Sequence, residues 1–91
     1  MESKIKTGKW VLIRTYSAGV HYGVLQERDG QETKLSSARR IWSWSGALSL
    51  SEIAVNGLDI TNSKISEKVE EIILPQSVEV ILISETSNLP K

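Results

Sequence analysis

Apolar positions in this chain come in short dense runs, broken by glycine, proline and charge. "KWVLIRTYS" packs its apolar residues into Trp10 to Ile13, mostly β-branched or aromatic, which predicts a strand. In "GVHYGVLQER" the residues alternate, with Val20, Tyr22 and Val24 on one face and His21, Gly23 and Leu25 on the other. Asp29-Gly30 in "ERDGQE" is a hairpin signal, because glycine accepts the positive φ of a tight turn. "ETKLSSARRIWSW" is then the returning strand, bent near Ser36-Ser37. The pattern changes period in "LSLSEIAVNG". There Ser49 and Glu52 form a capping-box pair, Leu50, Ile53 and Ala54 fall at helical spacing, and Asn56-Gly57 is a stop. A helix over about 50–55 is expected, then a polar loop in "LDITNSK". "SEKVEEIILP" and "SVEVILIS" predict two more strands joined at Pro75-Gln76, the last apolar on both faces toward its end.

Five short strands, tight turns and one helical segment predict a mainly β protein with one short helix. The expected form is a small five-stranded bent barrel of the Sm-like or Src-homology-3-like kind. One domain covers 9–84, with 42–65 as an insertion carrying the helix. Residues 1–8 and 85–91 are expected to be flexible tails. Gly23, Leu25 and Asp29 within "VLIRTYSAGVHYGVLQERDGQETKLSSARRIW" resemble the Sm pattern of strand, turn and Asp-centred turn. "VEEIILPQSVEVILIS" resembles the closing pair of Sm strands. That resemblance implies pairing of the last strands between subunits, hence a homo-oligomer.

Size and charge narrow the functional classes. A chain of 91 residues buries roughly 60–65% of its unfolded surface, so it is marginal alone and gains from self-association. Eleven basic and eleven acidic residues cancel, so no overall field draws it to nucleic acid or to a membrane. With no cysteine and one histidine, neither a thiolate nucleophile nor a Cys- or His-based metal site can be assembled within one subunit. No Gly-x-Ser-x-Gly elbow or Gly-rich phosphate loop is present. Glu67, Glu70 and Glu71 sit among strand signals and read as a solvated face. The expectation is a protein that is not an enzyme, carries no cofactor and resides in the cytoplasm; no apolar run spans a bilayer and the start "MESKIKTGKW" lacks the apolar centre of a secretory signal.

The positive signal is "ARRIWSWSGALSL", with Arg39, Arg40, Trp42 and Trp44 in close succession. Guanidinium groups bind phosphate through paired hydrogen bonds, and indole faces stack on planar rings. In a strand, Arg40, Trp42 and Trp44 share one face, while Arg39, Ile41 and Ser43 share the other. The candidate ligand-binding residues are Arg39, Arg40, Trp42, Ser43 and Trp44, with Tyr16 and His21 as a second aromatic wall. Core or subunit packing of the tryptophans, and surface ion pairing of the arginines, stand beside that reading. Ser17, Ala18 and Gly19 form a turn, whose small residues can admit a ligand to the backbone.

"YSAGVHYG … ARRIWSWSGA … SLSEIA … VEEIIL" resembles a family of short, mostly uncharacterised proteins of tailed bacteriophages and prophages. The resemblance implies a phage origin and an infected bacterial cytoplasm. With it, the expected function is a non-enzymatic oligomeric sponge that sequesters a small nucleotide-derived immune messenger. Two alternatives are an Sm-like ring binding single-stranded nucleic acid and a module that binds a host protein through its edge strand or Trp cluster.

Overall fold

In the computed structural model, which describes residues 5–91, the first apolar run is strand β1, Trp10–Thr15. β2, Val20–Asp29, returns antiparallel to it, and Gly30-Gln31 turns the chain into β3, Glu32–Ser43, with Gly30 at φ 61°. β3 bends where expected: Ser37 has φ 49°, a left-handed conformation that reorients the side chains after it. The helix α1 spans Leu50–Asn56. The Ser49 hydroxyl accepts from the Glu52 amide at 3.2 Å, and the Glu52 carboxylate accepts from the Leu48 amide at 2.9 Å. The cap therefore closes one residue further out than the simple capping box. Gly57 ends the helix at φ 92°, its amide donating to the Ile53 carbonyl at 2.8 Å.

Six strands form where five were expected. The additional one, β4, Lys64–Ile65, lies at the end of the predicted polar loop. Two residues carry too little periodicity to announce a strand; their pairing with β3 (Ile41↔Ile65, Ser43↔Lys64) makes it one. β5, Val69–Leu74, and β6, Ser77–Leu82, complete a single antiparallel sheet in the order β4-β3-β2-β1-β6, with β5 on the first half of β3.

β5 and β6 occupy opposite edges of that sheet, yet only Pro75 and Gln76 separate them. Three peptide steps reach at most about 11 Å, so the sheet must curl until its edges approach at this corner. The Ser77 amide donates to Gln31 and the Tyr16 amide to Gln76, both at 2.9 Å, which pins the corner. Beyond it the strands diverge, β5 along β3 and β6 along β1, and they form no ladder with each other. The sheet is therefore curled and open.

Alternation along the strands builds a core on each face. Leu12, Val20, Tyr22, Ile41 and Ile83 pack against Ile53, Ala54 and Leu58 from the helical segment. Val11, Ile13, Leu25, Leu35, Ala38 and Leu74 pack within the curl. The 42–65 segment thus supplies core, with Ile53 and Ala54 wholly buried.

Residues 85–91, expected as a tail, pack on the helix side. Leu89 is buried in the helix-side core, and the Tyr22 hydroxyl donates to the Pro90 carbonyl. The Asn88 side chain accepts from the Leu58 amide at 2.9 Å and donates to its carbonyl at 2.7 Å. Residues 85–91 are a strap over α1, tied by three polar side chains: Thr86 to Val55, Ser87 to Ile53 and Asn88 to Leu58. Polar composition concealed this, because Ser, Thr and Asn serve backbone capping as readily as solvent. At the other end, residues 1–4 of the expected tail lie outside the described residues. Ile5 packs on the inner core and Gly8 donates to Leu25 at 2.7 Å.

Candidate functional site

The bend at Ser37 sets the alternation that follows. Ala38 turns into the curl, Arg39 lies opposite Tyr22, Arg40 lies opposite His21 and Ile41 faces the helix. Arg40 and Trp42 thus occupy the face predicted for them. Arg40 Cζ lies over the Trp42 ring, 4.1 Å from its centroid. The Nε–Nη2 edge of the same guanidinium abuts Gly19: a Cβ there would come within 3.0 Å of Nη2 and 3.2 Å of Nε. The space that small turn residues leave open is filled by the protein's own arginine.

Ser66, just past β4, holds this part of β3. Its hydroxyl accepts from the Arg40 amide, and its own amide donates to the Arg40 carbonyl, both at 2.8 Å. Its carbonyl accepts from Arg39 Nη1 at 3.0 Å. Arg40 is held with Trp42 against one face of its guanidinium and Gly19 at its edge, yet its Nε is buried without a hydrogen-bond partner, as is that of Arg39. Among the described residues neither arginine forms a salt bridge. An unpaired buried donor costs on the order of 1–3 kcal/mol, so the arrangement holds unused capacity for an acceptor.

His21 shares this environment. It is 5% exposed, and its Nδ1 has no partner. Burial, then the Arg40 charge opposite it, lowers its pKa from 6.5 to about 4, so the imidazole is neutral at neutral pH. On the other face, burial raises the Tyr22 hydroxyl to about 12, with Arg39 opposing.

His21, Arg39, Arg40 and Trp42 line one groove of about 270 Å³. Ala38, Val69 and Ile72 supply its apolar wall, and Ser66 and Glu67 its polar rim. The volume lies just below the usual range of small-molecule sites, roughly 300–1,000 Å³. Trp42 stays 61% exposed, so indole surface remains for stacking beside the part that Arg40 covers.

Three predicted residues lie elsewhere. Tyr16 is 78% exposed on the β1–β2 turn, while Ser43 ends β3 and Trp44 follows it; none lines the groove. Trp44 leaves the Arg40/Trp42 alternation because the strand stops before it. Ser66, Glu67, Val69 and Ile72 were not predicted, and no local signal marks Ser66, whose place depends on β4 pairing with β3. Among the described residues no group of three His, Cys, Asp or Glu side chains could hold a metal, and no helix is long and apolar enough to cross a membrane.

A family of proteins described as a domain of unknown function (DUF6948) matches residues 8–89. No curated protein and no solved structure matches the chain.

Proposed function

We propose that this chain, which belongs to the family described as a domain of unknown function (DUF6948), is a non-enzymatic protein that binds a small nucleotide-derived ligand in the Arg40/Trp42 groove. The observation that carries the reading is Arg40 itself. A guanidinium held against an indole face with a glycine at its edge, and with a buried Nε lacking any acceptor, is a preorganised receptor for an anion. The remaining indole surface of Trp42 and the apolar wall of Ala38, Val69 and Ile72 suit a planar ring attached to that anion. Binding needs no bond to break: the phosphate meets Arg40 and Arg39, the ring meets Trp42, and the ligand is withdrawn from solution. With the resemblance to tailed-phage proteins, the use we assign to such sequestration is removal of a nucleotide messenger of bacterial immunity in the host cytoplasm.

The finer architecture belongs to the same proposal. The order β6-β1-β2-β3-β5 around a two-residue corner supports an Sm-like arrangement. Val69 and Ile73 on β5, and Val78 and Leu82 on β6, are each 45–56% exposed along the sheet's outer strands, which supports self-association through those edges.

The test is thermal melting with cyclic dinucleotides, cyclic ADP-ribose isomers, cyclic mononucleotides and short oligonucleotides. A ligand at a hundred times its Kd stabilises by about 2.7 kcal/mol and raises Tm by roughly 10–20 °C for a domain this small. Arg40→Ala is expected to weaken binding by about 10- to 150-fold, the worth of a charge-assisted hydrogen bond, with the fold intact. No shift with any small nucleotide overturns the proposal. A shift with oligonucleotides alone favours a nucleic-acid ring.

A further inference from the structure

Two arginines can hold an anion without help, so the burial of a third polar group in the same groove calls for a role. His21 lies directly across from Arg40 in the β2–β3 ladder and lines the groove, with its Nδ1 buried and unpartnered. In a purely structural position a buried imidazole ordinarily finds a hydrogen bond. The charged groups that face it are Arg40 opposite and, at the rim, Glu67; Arg39 lies across from Tyr22. β1 contributes Ile13 beside it, and β5 contributes Val69 and Ile72, none of them charged.

We propose that His21 is a ligand-contacting residue of this groove and that it takes up a proton as the anion binds. The proposal rests on the binding reading above and adds a specific group and a regulation to it. In the empty groove the positive charge of Arg40 and the low-dielectric surroundings oppose the imidazolium. An anion seated against Arg40 offsets that repulsion and accepts a hydrogen bond from the imidazolium, which compensates its burial. Ligand and proton then bind with positive coupling, and by linkage each strengthens the other. The groove is accordingly a receptor that tightens in acid. The ligand class it favours is an anion able to accept from two guanidinium groups and one imidazolium, such as a phosphodiester or phosphomonoester.

His21 is the sole histidine of the chain, so its imidazole resonances need no assignment against others. The experiment follows them by NMR through a pH titration of the full chain, alone and saturated with 3′,5′-cyclic uridine monophosphate. That probe neither gains nor loses a proton between about pH 5 and pH 8. Titration calorimetry with the same probe, in buffers of different ionisation heat, counts the protons taken up. The expected result is a His21 midpoint about two units higher in the complex, and binding about tenfold tighter near pH 5 than near pH 7.5. His21→Asn should bind the probe with little pH dependence, and Arg40→Ala should bind it poorly at every pH. If the wild type binds with an unmoved His21 midpoint and no proton uptake, the role of His21 is overturned and the binding reading stands. If neither this probe nor any nucleotide of the melting series binds at any pH, the binding reading falls, and this inference with it.

Discussion

Residues 21 and 22 are neighbours on one strand and face opposite sides of one sheet, yet their surroundings differ in kind. On the helix side, Tyr22 is wholly buried and its hydroxyl is capped by the Pro90 carbonyl. Around it α1 and the C-terminal strap answer their exposed backbone groups with Ser49, Asn88, Ser87 and Thr86. On the groove side, His21 Nδ1 and Arg40 Nε are as thoroughly removed from water and have no partner. The polar groups around α1 and the strap are met, while these two on the groove side are left without an acceptor. Both faces carry core; the groove side also carries a cost that an acceptor can relieve.

The widest separation between the two faces should appear with Ile53→Ala. Ile53 is wholly buried between α1 and the sheet, and its truncation is expected to cost about 2–5 kcal/mol. Chemical denaturation reads that loss, while the affinity for a groove ligand, measured well below the lowered Tm, should be unchanged. A parallel fall in affinity would show the faces to be coupled and would break the comparison.

Acid and alkali should act on opposite sides. For His21 the folded pKa of about 4 lies below the ordinary 6.5, so the unfolded chain binds more protons between those values. Its contribution is fully present above about pH 6.5 and is lost as pH falls toward 4, a change on the order of 2–3 kcal/mol. Tyr22 is the reverse: its folded pKa of about 12 exceeds the ordinary 10, so stability falls as pH rises from 10 to 12. Denaturation curves of His21→Asn and Tyr22→Phe across pH check both limbs. The first should flatten only the acid limb and the second only the alkaline one.

Much of the fold could be read from the chain, because its decisive signals are local. Asp29-Gly30, the Ser49/Glu52 cap, Gly57 and Pro75-Gln76 each bend or end the backbone through their own chemistry. What could not be read was set by partners distant in sequence. β4 is a strand only because β3 lies beside it, and the strap is ordered by caps linking residues 30 or more apart. The site divides in the same way. Period-two alternation placed Arg40 and Trp42 together, but it could not show that β3 stops before Trp44 or that Ser66 would brace Arg40.

Gly19→Ala should exert a smaller effect that falls unequally on stability and binding. Gly19 sits at φ 85°, and an added methyl would meet the Arg40 guanidinium. The backbone cost is about 1–2 kcal/mol, which calorimetric melting detects. The guanidinium must also shift off its seat, so affinity should fall by more than the stability loss explains, and Arg40→Lys should not restore it, because an ammonium lacks the flat fork.

The smallest expected effect is that of Tyr16→Ala, and it discriminates most sharply between the site drawn from alternation and the groove as folded. Tyr16 is 78% exposed and absent from the groove lining; among the described residues its backbone amide donates to Gln76, and alanine keeps that bond. Stability should change by no more than about 0.5 kcal/mol, and ligand affinity should not change. Trp42→Ala, which removes the stacking surface, should weaken binding by about 1–3 kcal/mol under identical conditions. If Tyr16→Ala weakens binding as much as Trp42→Ala, the ligand extends over the β1–β2 turn, and the groove side recognises a larger molecule than its 270 Å³ holds.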